Sequence, residues 1–250
     1  ALQQYASKLE RANRDLQNFA LAASHDLQEP LRKIEAFGEA VLQGSAALDA
    51  KQHDRILRMR RSAQQMRLMI NSLLQLSLLP VENQTFQPVD LRQTADRVLS
   101  EYEEQICQAG GEVVLEDLPE IEADPLQMRL LFQHLVDNAL KFQPPGGKPR
   151  IKIYARQSTP DSVQIVVEDN GIGFDERYAQ NLFEPFKRLV GKNQSEYNGS
   201  GMGLAVCRWI AERHGGDITA RSQPGQGATF IVTLPIHQPG SASQGRTRAV

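Results

Sequence analysis

A histidine and an aspartate stand side by side in a long helical stretch, within the segment Ser24-His25-Asp26-Leu27-Gln28-Glu29-Pro30-Leu31. An acid that meets an imidazole can orient the ring and take up its proton, and an imidazole so activated is a nucleophile. Pro30 removes a hydrogen-bond donor and clashes with the carbonyl of Asp26, so we expect the helix to be loosened or bent there. The alternative is a solvated His-Asp pair on a helix face.

A second polar group closes a predicted helix, in the segment Asp137-Asn138-Ala139-Leu140-Lys141-Phe142. Asn138 and Lys141 are three residues apart and therefore share a helix face. An amide oxygen is a suitable ligand for Mg²⁺, and a lysine suits a phosphate group. Because single Asn and Lys residues are common at helix ends, this segment alone is a weak indication of a phosphate site.

Two glycine-rich segments follow. Glu168-Asp169-Asn170-Gly171-Ile172-Gly173-Phe174 comes directly after an apolar strand, and its glycines allow the backbone to turn sharply and approach a ligand. Asp169 can accept a hydrogen bond from an amino group such as the exocyclic amine of adenine. The alternative for this segment is a hairpin turn that uses Asn-Gly.

The other segment, Asn198-Gly199-Ser200-Gly201-Met202-Gly203-Leu204, opens a predicted helix. The free N–H groups and the positive dipole end of a helix start suit phosphate. No Gly-Lys-Ser/Thr follows, so this is not a Walker A loop. The polar stretch 191–198 before it is predicted to be a lid over a nucleotide. Positive charge near the phosphates would come from Lys187, Arg188 and Lys192.

The elements that must position these residues fall into two parts. Residues 1–79 are predicted to be almost entirely helical, with a break near Gly44. Residues 1–19 carry apolar side chains three and four positions apart, which predicts the end of a coiled coil, although one amphipathic helix on a globular core would show the same pattern. Residues 20–79 are predicted to form an antiparallel helical hairpin. One hairpin buries little surface, so we expect a homodimer through residues 1–79 that forms a four-helix bundle.

The second part begins after a polar, proline-bounded linker at 80–88. Strand-like and helical runs then alternate, which predicts an α/β sandwich over 89–236, with one sheet covered by helices on one face. Residues 237–250 are polar and aperiodic and are interpreted as a disordered tail. The predicted strands are 112–115, 150–156, 162–168, 216–222 and 228–234, and the predicted helices are 90–109, 125–142 and 203–214.

Composition narrows the class of protein. The chain has 250 residues, of which 40% are hydrophobic, enough for a substantial core, and a net charge of −2. A nucleic-acid-coating protein would be more basic, so no nucleic-acid partner is expected. No apolar run is long enough to span a membrane, and no membrane contact is expected from these residues. Cys107 and Cys207 have neither disulfide-framework nor metal-site spacing and are interpreted as reduced core thiols, which suits a cytoplasmic location.

Taken in order, these segments resemble the motifs of the catalytic core of sensor histidine kinases, over roughly residues 1–236. SHDLQEPLR resembles the H-box of that family, HLVDNALKF its N-box and DNGIGF its G1 box. FEPF resembles its F-box, GSGMGL its G2 box and GQGATF its last glycine motif. The wording SHDLQEPLRKI, with ERHGGDI and PGQGATF, is most similar to phytochrome-type bacterial kinases.

The resemblance implies ATP-dependent autophosphorylation on His25, then transfer of the phosphoryl group to an aspartate of a response regulator. His25 would be the nucleophile with Asp26 as the adjacent acid, His134 would lie near the γ-phosphate, and Asn138 would ligate Mg²⁺. Asp169 would read the adenine amine with Thr229 close by. The ATP-binding positions implied are Asn138, Lys141, Phe142, Asp169, Gly171, Gly173, Lys187, Arg188, Gly199, Gly201, Gly203, Leu204 and Thr229.

Two other functions are compatible with parts of this pattern. An ATPase of the same nucleotide-binding superfamily would share the glycine boxes, but it would not need the His25 helix. A non-catalytic dimeric scaffold would keep the fold but is favoured by broken boxes, and none is broken in this sequence. The partners implied by the kinase interpretation are a second copy, a response-regulator receiver domain and an upstream sensor domain. The full-length protein, soluble or membrane-anchored, is expected to continue before Ala1.

Overall fold

The computed structural model describes residues 27–43, 49–78, 86–185, 187 and 201–238. The chain forms two compact units, and the main boundary between them falls between Glu82 and Asn83. Several predictions lie outside the described residues: the coiled coil at 1–19, most of the linker at 80–88, the tail from 239, and the site residues His25, Asp26, Arg188 and Gly199.

The described part of the first unit consists of two helices, α1 over residues 27–43 and α2 over Ala50–Leu78. Their ion pairs show that they run antiparallel. Arg67 Nε lies 3.3 Å from Glu35 Oε1, whereas Glu39, later in α1, pairs with Arg60, earlier in α2. The described residues therefore have the predicted hairpin arrangement of two helices.

Close contact between α1 and α2 depends on small residues. A Cβ atom on Gly38 would lie 2.6 Å from Cγ of Arg60, so the arginine stem occupies the space that a side chain would need. Ala63 is 1% exposed and Leu31 is 7% exposed. The helices thus approach at the glycine and the alanine, and the arginine covers the contact with its aliphatic stem.

The second unit is built on a mixed five-stranded sheet with the strand order β2-β4-β5-β7-β6. β2 pairs parallel with β4, and the other neighbouring strands pair antiparallel. Val163, Ile165 and Val232 of β5 and β7 lie on one face of the sheet and are at most 3% exposed. The strands are β2 Glu112–Leu115, β4 Arg150–Thr159, β5 Ser162–Asp169, β6 Asp217–Ser222 and β7 Ala228–Pro235.

The predicted α/β sandwich is confirmed, and its helices begin at side-chain caps. α5, Pro125–Lys141, starts after Asp124, whose carboxylate accepts hydrogen bonds from the N–H groups of Leu126 and Gln127. α6 follows over Gly203–Arg213. The helix predicted over 90–109 is two helices, α3 Leu91–Glu101 and α4 Glu103–Gln108, separated at Tyr102, and a 3₁₀ helix spans Glu176–Phe183.

Two short strands were missed by the sequence analysis. β1, Gln87–Asp90, pairs antiparallel with β3, Glu120–Ala123. β1 includes Gln87 and Pro88, which belong to the predicted linker. A proline is tolerated there because β1 is paired on one side only and Pro88 need not donate a hydrogen bond to a second neighbouring strand. At the other end, Gln238 of the predicted tail is buried, and its N–H donates to Glu122 Oε2 at 2.7 Å.

Two further observations concern composition. Cys207 is buried, as predicted, but Cys107 is exposed at the end of α4 and is not a core thiol. Among the residues that the structure describes, no helix combines the length and the apolar character needed to cross a bilayer.

Candidate nucleotide-binding site

Asp169 is the last residue of β5, and its carboxyl group is partly buried. Its Oδ1 accepts hydrogen bonds from the N–H of Gly171 at 2.8 Å and from the N–H of Ala228 at 3.2 Å. Burial raises its pKa to about 6, and the two backbone donors oppose that rise. Within the described part of the chain, no donor is bonded to Oδ2. The carboxylate is therefore fixed in orientation through one oxygen, and the other can accept from a ligand.

Gly171 joins this carboxylate to the end of α5. A Cβ atom at position 171 would lie 2.4 Å from the carbonyl oxygen of Phe142 and 2.8 Å from Asp169 Oδ1. The next residue, Ile172, donates its N–H to that same Phe142 oxygen at 2.8 Å. The absence of a side chain at 171 thus lets the segment after β5 lie directly against the last turn of α5.

Gly173 brings the same segment against the turn between β6 and β7. Its φ is +62°, and a Cβ there would lie 2.2 Å from the carbonyl oxygen of Gln223. Ser222 Oγ accepts from the N–H of Phe174 at 2.8 Å and donates to the carbonyl of Gly227 at 2.6 Å. Three loops are therefore held together around Asp169.

Asn170 holds a fourth segment and was not predicted as a site residue. Its Oδ1 accepts from the N–H of Arg150 at 2.7 Å, and its Nδ2 donates to the carbonyl of Lys148 at 3.0 Å. These bonds tie the start of β4 to the residue beside Asp169. The position of Asn170 between a strand and two glycines could have indicated a site residue. In the sequence, however, a local turn accounts for this asparagine equally well.

His134 lies on α5, one turn before Asn138. Its Nε2 is buried and has no hydrogen-bond partner among the described residues. Burial lowers its pKa, with a smaller opposing effect from Asp137. A Cβ at Gly203, the first residue of α6, would lie 3.3 Å from Nδ1 and would press on the imidazole. A buried nitrogen without a partner is one that a ligand can satisfy.

Asn138, Lys141 and Phe142 occupy the C-terminal end of the same helix. Phe142 caps it with an N–H bonded to the Asn138 carbonyl at 3.1 Å, and Lys141 Nζ lies 5.1 Å from the centre of the Phe142 ring. No cluster of three His, Cys, Asp or Glu residues suited to a metal occurs in the described ranges. One amide oxygen still fits Mg²⁺, which retains waters and takes its other ligands from phosphates.

Thr229 is not where the sequence analysis expected it. The residue opposite Asp169 in the β5–β7 register is Ala228, whereas Thr229 lies opposite Glu168. Because successive side chains of a strand point to opposite faces, Thr229 is on the other face of the sheet from Asp169. The position beside the carboxylate is therefore occupied by a methyl group, and the Thr229 prediction is corrected to Ala228.

The remaining predicted residues are placed only in part. Leu204 is half-buried in the first turn of α6, and Gly201 has a φ of +71°. Lys187 Nζ lies 3.5 Å from Glu184 Oε2 and is mostly exposed. The second unit thus brings together predicted residues from the second half of α5, from the segment after β5 and from the start of α6. They are His134, Asn138, Lys141, Phe142, Asp169, Gly171, Gly173 and Gly203.

Two family models match the chain. The His Kinase A (phospho-acceptor) domain matches residues 15–80, and the histidine kinase-, DNA gyrase B-, and HSP90-like ATPase matches residues 123–238. Together the two matches cover more than half of the chain. The first includes His25 and both helices of the first unit, and the second includes every site residue described above.

Curated relatives point the same way. The phytochrome-like protein Cph1 of Synechocystis is 36% identical over 94% of this chain and 31% of its own length. The alginate biosynthesis sensor protein KinB of Pseudomonas aeruginosa is 33% identical over 87% of this chain and 36% of its own. The chain spans about a third of the length of these relatives. The similarity to phytochrome-type kinases is confirmed.

Solved structures share the fold. Full-length ShkA, in complex with AMPPNP, matches 89% of this chain and 46% of its own with a TM-score of 0.62 and 24% identity. The mycobacterial sensor histidine kinase MprB matches 62% of this chain and 99% of its own with a TM-score of 0.53. The two family models and the curated relatives show that the chain belongs to the histidine kinases and is the catalytic core of one, a phospho-acceptor helical hairpin followed by an ATPase-like domain.

Proposed function

We propose that this chain is an ATP-dependent protein-histidine kinase that phosphorylates itself on His25 and transfers the phosphoryl group to an aspartate of a response-regulator receiver domain. The observation that carries the proposal is Asp169, a shielded carboxylate with one oxygen fixed by two backbone N–H groups. It lies in a chain whose phospho-acceptor match contains His25. A carboxylate held in this way favours adenine, because it accepts from the exocyclic amine. Guanine presents a carbonyl at that position.

The phosphate end of the nucleotide would lie at the C-terminal end of α5. Lys141 would neutralise phosphate charge, and Asn138 would supply one oxygen to Mg²⁺. His134 Nε2, which is buried without a partner among the described residues, would meet the γ-phosphate end. Lys187, Arg188 and the glycines 199, 201 and 203 would complete the phosphate surroundings. Mg²⁺, when bound, neutralises charge on the phosphates.

The reaction itself would be carried by His25 and Asp26. His25 Nε2 attacks the γ-phosphorus, the bond from phosphorus to the bridging oxygen of the β-phosphate breaks, and ADP leaves with that electron pair. The new phosphohistidine carries a proton on Nδ1, which Asp26 accepts. The phosphoryl group then passes to the carboxylate of the regulator. Most of the acceleration would come from positioning and charge neutralisation.

We also propose a homodimer through residues 1–79. The described helices of the first unit carry large apolar side chains that face solvent in the single chain, with Phe37 68% exposed and Leu27 54% exposed. Val41, Met59 and Met66 are exposed as well. A second hairpin would cover them and give a four-helix bundle. An upstream sensor domain would control this dimer, and the use of ATP would place the catalytic core in the cytoplasm.

The proposal is tested by incubating the chain with Mg²⁺ and ATP labelled in the γ-phosphate, beside His25→Ala. We expect label on the protein that is lost in acid and kept in base, as a phosphohistidine is, and no label on His25→Ala. ATP hydrolysis without label would favour the ATPase alternative. Nucleotide binding with neither label nor hydrolysis would favour the scaffold.

The pKa of Asp169 gives a second test of the nucleotide site. In the free chain its carboxyl carbon, followed by NMR, should titrate with a midpoint of about 6, because burial disfavours the ionised form. Saturating nucleotide should lower that midpoint, since the adenine amine bonds to the ionised carboxylate. The resonance is identified by its loss in Asp169→Asn. A free-state midpoint near the ordinary value of 3.8, or no change with nucleotide, would contradict the assignment.

A further inference from the structure

His214 is a buried histidine that the proposed reaction does not use. It follows α6 directly and is 0% exposed. Its Nε2 accepts the N–H of Asp124 at 3.1 Å, and its Nδ1 lies 2.8 Å from the carbonyl oxygen of Ile210. An N–H can only donate and a carbonyl can only accept, so the proton is on Nδ1. Both ring nitrogens are bonded, and burial lowers the pKa of the ring, which keeps it neutral.

The fixed imidazole ring packs against Phe86. The two ring centroids are 5.1 Å apart and the rings are tilted by 57°, a favourable aromatic geometry. Phe86 is half-buried and immediately precedes β1. Phe86 is the first described residue of the second unit. Phe86, at the start of the described second unit, thus packs on an imidazole whose position is fixed by two hydrogen bonds.

This contact is remote from the nucleotide site. The Asp124 cap, to which His214 bonds, begins α5, whereas Asn138 lies 14 positions later, which at the helical rise is about 21 Å along the axis. The residues around Asp169 make none of their described hydrogen bonds to Phe86 or His214. Loss of the Phe86 contact should therefore leave the nucleotide-binding residues in place.

We propose that the Phe86–His214 contact positions the ATP-binding unit for phosphoryl transfer, because it fixes the direction in which the chain enters that unit. The contact affects the rate at which the phosphoryl group reaches His25. It does not contribute to nucleotide affinity. The inference rests on the proposed kinase function. Length cannot be the cause. Release of Phe86 would leave Gln87 paired with Ala123 in β1, so it would free only one residue of chain. The direction of the chain can be the cause, because a small misorientation of the reacting groups lowers the rate of reaction strongly.

The test compares Phe86→Ala, Phe86→Tyr and His214→Gln with wild type, with Leu126→Ala as the control. Leu126 is a 75% exposed apolar residue in the first turn of α5. Each variant is measured twice, for its Kd toward ATP and for its single-turnover rate of His25 phosphorylation. We expect Phe86→Ala to lower the rate about three- to tenfold with Kd changed less than about twofold. Phe86→Tyr keeps the ring contact and should restore the rate.

His214→Gln should slow phosphorylation similarly, and the double variant with Phe86→Ala should be no slower than the slower single variant, because both remove the same contact. Should the His214 variant fail to fold, the Phe86 pair still decides. A Kd that weakens in step with the rate would overturn the proposal. So would a Phe86→Ala rate equal to that of Leu126→Ala, or effects that multiply. Failure of the proposed function is seen separately, as a wild type that takes no label.

Discussion

Asp169→Asn should abolish measurable affinity for adenine nucleotides and at the same time make the free protein more stable. The amide keeps an oxygen that can accept the N–H groups of Gly171 and Ala228. It presents an NH₂ donor toward the adenine amine, where the carboxylate presents an acceptor. A donor facing a donor leaves both without a partner in a shielded site, which is costly for binding.

The gain in stability follows from the pKa of Asp169. In the unfolded chain the group titrates near 3.8 and in the folded chain at about 6, so the fold penalises the ionised form. The full shift corresponds to about 3 kcal/mol, and we expect Asp169→Asn to recover about 1–3 kcal/mol of that penalty. The penalty is fully present above the folded pKa and disappears as the pH falls toward the unfolded pKa. The advantage of the variant should therefore be largest at neutral pH and small near pH 4.

Urea unfolding of wild type and Asp169→Asn at neutral and at acidic pH measures this difference directly, and calorimetry with an ATP analogue measures binding. Asp217→Asn, an exposed aspartate at the start of β6, is the matched control and should change neither quantity. An Asp169→Asn protein that binds nucleotide as tightly as wild type would remove Asp169 from the site. A variant less stable than wild type at neutral pH would show that the carboxylate stabilises the fold.

Gly227→Ala should destabilise the second unit far more than Gly225→Ala, although both glycines have left-handed backbones. Their φ values are +79° and +77°. A Cβ at 225 would meet nothing within 4 Å, whereas a Cβ at 227 would lie 1.9 Å from the carbonyl oxygen of Asp169. Gly225→Ala should therefore cost only the left-handed conformation, about 1–2 kcal/mol. Gly227→Ala must also push two backbone segments apart and should cost about 3 kcal/mol or more.

Comparing Gly225→Ala with Gly227→Ala separates the cost of the steric clash from the cost of the left-handed conformation, because both variants share the left-handed conformation. Urea unfolding gives the two costs, and nucleotide affinity gives a second comparison. Gly225→Ala should bind normally, and Gly227→Ala should bind weakly, because the displaced strand end carries Asp169. A Gly227→Ala protein that fails to fold while Gly225→Ala folds agrees with this expectation. Equal costs for the two variants would contradict it.

The sequence predicted the larger elements because their patterns are local. β2 was predicted with its observed bounds, and α5 within one residue at its C-terminal end, since Asp124-Pro125 is a clear start and an apolar run follows. β1 and β3 were missed because only Val89 in β1, and Ile121 with Ala123 in β3, are buried in strands of four residues each. Their pairing joins positions about 30 residues apart in the chain, which no local window contains.

The same distinction holds for the site. Glycines that permit tight turns can be recognised in the sequence, so Gly171 and Gly173 were identified. The sheet face on which Thr229 lies could not be identified from the sequence. Because β7 is apolar on both faces, its residue pattern does not show which positions share a face with Asp169. His214 was missed for a related reason. It was predicted only as the last residue of a helix over 203–214, and only tertiary contacts bury it and fix its tautomer.

His214 also lies beside both ends of the described part of the ATP-binding unit. Phe86, where the described chain enters that unit, packs on the imidazole, and Gln238, where the described chain leaves it, donates from Nε2 to the His214 carbonyl oxygen at 3.1 Å. The first and last described residues of this unit therefore lie beside one residue, remote from the proposed nucleotide site. A unit whose ends meet can be joined through a short loop and opened elsewhere, or inserted whole into a surface loop of another protein. The geometry would thus allow residues 86–238 to be moved as one folded piece.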